Sequence, residues 1–203
     1  MKVGSKSKIH RIYEMGVLKR SLILWAAFQA ILWLIFGITY LLYPAAWGIV
    51  VETGEMVSDD TVLGTFLFII GNNLFLLLLI ALGNLFVRFG WITLGPIILI
   101  IQGIMIGYIA GSNSFEYPFP SVLAANLQYL KIGLWETTSY ALTCAVTMTK
   151  SLHIADSFPP KKWIEVRKLK DLGFSKEEKI ILIAGILLLV GSAFIEAVSI
   201  VLG

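Results

Sequence analysis

Four stretches of this chain, residues 22–43, 62–87, 91–111 and 180–202, run apolar with almost no charge for the roughly 20 residues that a helix needs to cross a bilayer core about 30 Å thick. The hydrocarbon offers no water to backbone N–H and C=O groups, so such segments must bond internally as helices. Composition points the same way. With 58% hydrophobic and 14% charged residues among 203, one small water-soluble globule cannot hide the apolar surface. The expected fold is an all-α integral membrane protein, a single transmembrane helical domain over residues 1–203.

A fifth apolar region, residues 121–149, would be about 43 Å long as one straight helix and would carry Lys131 into the membrane. A break near Gly133 is therefore expected. It makes 121–131 a short outer-face or re-entrant helix opened by Pro118 and Pro120, and 132–149 a fifth span.

Lysine and arginine orient such a bundle, because they stay on the cytoplasmic side of short loops. Fifteen of the sixteen fall before the first span, at Arg88 or in the 150–179 loop, leaving Lys131 alone on the other side with Glu52, Glu55, Asp59, Asp60 and Glu116. The N-terminus is accordingly expected inside and the C-terminus outside, in a multi-pass protein of the cell membrane with its first span kept as an uncleaved anchor. Within the 150–179 loop, the basic stretch 161–172 with Trp163, Ile164, Val166 and Leu169 reads as a helix on anionic headgroups. The stretch around Ile9 and Ile12 reads similarly, and Ser175 with Glu178 forms a capping box for the last span. A bilayer surface accounts for these charges, and no nucleic-acid motif accompanies them.

Function is sought where polar groups are retained at a cost. Glu136 and Glu196 are the two carboxylates that no loop can take, expected about 6 Å and about 9 Å below the outer ends of their spans. Glu136 shares a helix face with Tyr140, Thr143 and Thr147, and Glu196 with Ser192 and Ser199. Asn72, Asn73 and Gln102 would continue a polar track inward, and if the two acids share a pocket they titrate as a coupled pair. Asn84, Arg88 and Gln29 read as inner-interface anchoring. The steps Gly103, Gly107 and Gly111 leave a bare face for another helix, inside the bundle or in a homodimer. Cys144 is expected to pack as a small hydrophobe. Zinc-hydrolase, serine-hydrolase and phosphate-loop motifs are missing, His10 and His153 lie in basic flanks, and the two acids are the sole hint of a hard-cation site. The chain is read as non-enzymatic, without a cofactor.

The order of Gly71-Asn72-Asn73, Gln102-Gly103 with Gly107, Gly133-Leu134-Trp135-Glu136 and Ala193-Phe194-Ile195-Glu196-Ala197 resembles the stage II sporulation protein M (SpoIIM) family over residues 61–203. That family usually has Asn-Gly at the second motif and Pro-His-Gly-x-x-Glu at the third. Here the glycine and glutamate stand without the Pro-His. The resemblance implies a small polytopic prokaryotic membrane protein that anchors membrane or extracytoplasmic partners and catalyses nothing itself. Two functions follow: a SpoIIM-like scaffold, or a cation or proton channel or transporter that uses the Glu/Asn/Gln cluster.

Overall fold

The computed structural model describes residues 11–47, 61–90, 92–115, 117–155, 159 and 161–202. A short α1 (Arg11–Glu14) precedes α2 (Val17–Leu42), and α3 (Val62–Leu85), α4 (Leu94–Gly111) and α7 (Lys176–Val201) are the other long helices. These four are long and apolar enough to cross a membrane. Between α4 and α7 the chain forms α5 (Val122–Gln128), a π-helical turn (Tyr129–Gly133) and α6 (Leu134–Thr147). The acidic loop residues Glu52, Glu55, Asp59, Asp60 and Glu116, and the stretch around Ile9, lie outside the described residues.

Helix α6 is the axis of the bundle. It packs against α2, α3 and α7, and Tyr140, Ala141, Thr143, Cys144, Ala145, Val146 and Thr147 are all buried. The outer helices instead turn Leu, Ile and Phe outward, as Leu41, Phe68, Phe75 and Leu187 do. In water that distribution would be costly, and in hydrocarbon it is the stable one.

The break expected near Gly133 is a π turn within one continuous helical run. Gln128, Tyr129, Gly133 and Leu134 all keep right-handed helical backbone angles, so α5 runs into α6 without a break in the helical backbone. A π turn inserts one residue without ending the helix. Glycine suits this position, since a Cβ on Gly133 would stand 2.7 Å from the Tyr129 ring. Counted from Val122, Glu136 is then about 21 Å along the run.

Helices α2 and α4 meet along the glycine face, which serves packing within the chain. A Cβ on Gly107 would lie 2.5 Å from the Leu32 carbonyl oxygen, whereas at Gly103 it would find only ordinary contacts with Ile31 and Phe28. Thr39 Oγ1 donates within its own helix to the Ile35 carbonyl at 2.8 Å and lies 3.3 Å from the Gly107 carbonyl across the same seam.

Four short strands at the basic end depart from an all-helical architecture. They are β1 (Val87–Phe89), β2 (Ile92–Thr93), β3 (His153–Ala155) and β4 (Trp163–Glu165), in the order β2-β1-β3-β4, with β1 and β3 parallel and the outer pairs antiparallel. The helix expected over 161–172 is thus replaced by β4 and a 3-10 turn, Leu169–Asp171. Strand β3 offers a ladder to 163–165, where Trp163 and Ile164 accept extended backbone readily, and that partner overrides the amphipathic spacing. Strands β1 and β2 likewise shorten the spans that meet there. Helix α2 begins earlier than expected, and Arg20 is buried on it, its Nε donating to the Ala145 carbonyl at 2.6 Å. The Ser175 and Glu178 capping box opens α7 as its spacing predicts.

The α2–α4 seam makes a graded prediction. Gly107→Ala forces backbone apart and should lower stability by roughly 1–3 kcal/mol. Gly103→Ala should be near neutral, as should Gly191→Ala, where a Cβ meets nothing within 4 Å. Unfolding of the purified variants in detergent measures this order.

Candidate functional site

Glu136 stands in the first turn of α6 and Glu196 in the penultimate turn of α7. Both line one half-open cavity of about 210 Å³ between α2, α4, the α5–α6 run and α7. Residues distant in sequence are brought together because α7 packs along α6. Lys131 marks the register, its Nζ donating to Ser199 Oγ at 2.7 Å, one turn beyond Glu196.

The two acids are held differently. Asn73 Nδ2 donates to Glu136 Oε1 at 2.7 Å, and the Asn73 carbonyl oxygen accepts from Tyr140 O–H at 2.8 Å. That relay runs from α6 to α3 and back, fixing one carboxylate oxygen. Glu196 receives no hydrogen bond from the described residues, and no lysine or arginine among them forms an ion pair with either glutamate. Two carboxylates therefore face a common space without a basic partner.

The rest of the wall is a polar floor and an aromatic side. On the floor, Tyr129 O–H donates to Gln29 Oε1 at 2.7 Å and lies 3.2 Å from Thr137 Oγ1, which also accepts from Gln29 Nε2 at 3.3 Å. Trp33 meets Tyr129 edge to face at 5.4 Å and Phe36 at 5.5 Å. Phe115 and Phe119 form a third such pair at 4.9 Å, and all five rings line the cavity. Aromatic edge-to-face contacts hold rings in fixed mutual orientation, so this wall is shaped in advance.

The residues singled out from sequence divide clearly. Glu136, Glu196 and Asn73 converge. Asn72 is exposed on the outer surface of α3, because the next residue on a helix points about 100° away. Gln102 is half-buried on α4 but lies outside the cavity wall, and Gly103, Gly107 and Gly111 pack on α2. Gln29 lies behind the chamber, bonded to Tyr129 and Thr137, which line it. Tyr129, Thr137 and Trp33 were missed, and the signal that could have found them is Gly133, four residues past Tyr129, which leaves room for its ring.

A second polar cluster lies at the basic end. Asn84 is fully buried, its Nδ2 donating to Thr147 Oγ1 at 2.8 Å and to the Cys144 carbonyl at 3.2 Å, while Thr93 Oγ1 donates to Asn84 Oδ1. Gly95 sits against that amide, where no Cβ fits. Every polar group of the Asn84 side chain is used internally, so this cluster locks α3, α4 and α6 together and offers nothing to a ligand. Among the described residues no three His, Cys, Asp or Glu side chains gather as a metal site.

Comparison of the chain with protein-family models, with curated proteins and with solved structures finds no match.

Adjacent asparagines test the geometry. Asn73→Ala removes the donor to Glu136 and the acceptor for Tyr140, and should destabilise the purified protein by roughly 1–2 kcal/mol. Asn72→Ala, on the exposed face, should stay within about 0.5 kcal/mol of the parent. Equal effects in a denaturation assay would contradict the placement.

Proposed function

We propose that this chain is a five-span protein of the cell membrane, N-terminus inside and C-terminus outside, that binds a cation from the outer side between Glu136 and Glu196. The four long apolar helices supply four crossings, and the α5–α6 run is the fifth, its α6 part buried among the others and its α5 and π-turn part exposing Leu123, Leu127 and Leu130. The basic sheet end is the cytoplasmic one, where Arg88, Lys150, Lys161, Lys162, Arg167 and Lys168 cluster.

The observation that carries the reading is the shared cavity with two carboxylates and no lysine or arginine pairing them among the described residues. An ionised carboxylate taken out of water without a counter-charge is penalised by several kcal/mol. A bound cation or proton supplies the missing charge, and the half-open mouth gives it a route. Asn73 holds Glu136 in place, while Glu196, without a hydrogen bond from the described residues, is free to follow a ligand. The reaction is binding or passage and involves no bond cleavage, so the protein is read as non-enzymatic and without a cofactor.

The resemblance of the motif order to that of the SpoIIM family favours a second reading, a scaffold that anchors membrane or extracytoplasmic partners. Three of those motifs meet in space, at Asn73, Glu136 and Glu196.

Reconstitution in liposomes separates the two. The cation reading predicts saturable binding or flux of a monovalent cation, inorganic or organic, that Glu136→Gln and Glu196→Gln each reduce at least tenfold. A parent protein that passes and binds no cation would favour the scaffold.

A further inference from the structure

Resting on the cation reading above, we infer that the ligand of the chamber is a small organic ammonium ion. Three cations are chemically available to two carboxylates: a proton, a bare metal ion and an alkylated or protonated amine. A proton sits on one oxygen and needs no chamber of about 210 Å³. A hard metal ion needs a close shell of several oxygens, six to eight for calcium.

Beside the two glutamates the wall offers few free oxygens. Asn126, Gln128, Tyr129 and Thr137 line it, but the Tyr129 and Thr137 hydroxyls already donate to Gln29 and to the Leu134 carbonyl. Leu32, Ile106, Ala110 and Ile132 fill the wall beside the five rings. Most of its backbone is helical, with carbonyls already engaged in the helices. No third acid joins the glutamates in a metal-ligating group among the described residues.

An organic ammonium ion uses both parts of the wall. Its charge would be met by Glu136 and Glu196, and its alkyl groups would lie against the rings of Trp33, Phe36, Tyr129 and Phe119, which line the same space. Ring faces attract a diffuse cation electrostatically, most strongly at Trp, and this attraction grows when the site is dry. The chain's own ammonium group nearby, on Lys131, is turned to Ser199 and leaves the two carboxylates to a ligand. The five rings and two acids come from α2, the 115–119 segment, the α5–α6 run and α7, so the selectivity belongs to the assembled bundle.

The test is calorimetric titration of the purified full chain in nanodiscs with tetramethylammonium chloride, against potassium chloride at matched ionic strength. Saturable tetramethylammonium binding is expected, weakened roughly tenfold or more by Glu196→Gln and by Trp33→Leu, with little competition from potassium. Phe119→Leu lies outside the long helices and repeats the aromatic test should Trp33→Leu unfold the protein, which thermal unfolding reports. Absence of tetramethylammonium binding, or equal binding by parent and variants, or equal competition by potassium, overturns the inference. If glutamate-dependent proton or alkali-cation flux persists in that case, the cation site stands and only the ligand class is wrong. If flux is absent too, both readings fall.

Discussion

Helix α6 places Thr137, Ser139, Tyr140, Thr143 and Thr147 in a buried interior, and no helix with that many hydroxyls could face lipid without penalty. The polar axis therefore has to be wrapped, and the arrangement of the other helices follows from wrapping it. Helices α2, α3 and α7 pack against it, turning apolar side chains outward and single polar ones inward: Gln29, Asn73, Asn84 and Glu196. Side-chain partners for α6 come from α2 and α3: Trp25 to Thr138, Gln29 to Thr137, Asn73 to Glu136 and Tyr140, Asn84 to Thr147. Interhelical bonds of this kind are modest individually, about 0.6 kcal/mol on average in a membrane, but they fix register.

The two ends of the axis are finished in opposite ways. Toward the basic end, the Asn84 side chain spends its donors and acceptor on neighbours, Arg20 donates to a carbonyl of the last turn of α6, and a small sheet closes the loops. A cation at a helix C-terminus is favourable, so burying Arg20 there is consistent with a structural role. Toward the far end, closure is incomplete. A π turn interrupts the α-helical bonding of the run at Tyr129, rings from α2 and those of Phe115 and Phe119 line the gap, and two carboxylates line it with them. A site arises where packing stops short.

Legibility in the sequence follows from the range of the interaction. Apolar length marked α2, α3, α4 and α7, since bilayer thickness acts on each segment alone. Local spacing also sufficed for the capping box of α7, because Ser175 and Glu178 are three residues apart. Convergence of Glu136 with Glu196 was legible as an expectation from their rarity within apolar runs, and Asn73 went with them. The choice of Asn73 over Asn72 was not legible, since it depends on the rotation of α3 against α6. The sheet escaped for the same reason: β1 and β3 are parallel partners far apart in the chain, and Trp163–Glu165 is a strand only because β3 lies beside it. Tyr129 and Gln29 look unremarkable until the π turn brings them together.

Whether the two carboxylates sense each other is measured most directly by infrared titration of their protonated-carboxyl bands in the parent and in Glu136→Gln. If the acids share one chamber, removing the charge at Glu136 shifts the titration midpoint of Glu196, and Glu196→Gln shifts that of Glu136 in turn. Midpoints that stay the same in both variants would show two independent acids and contradict the account.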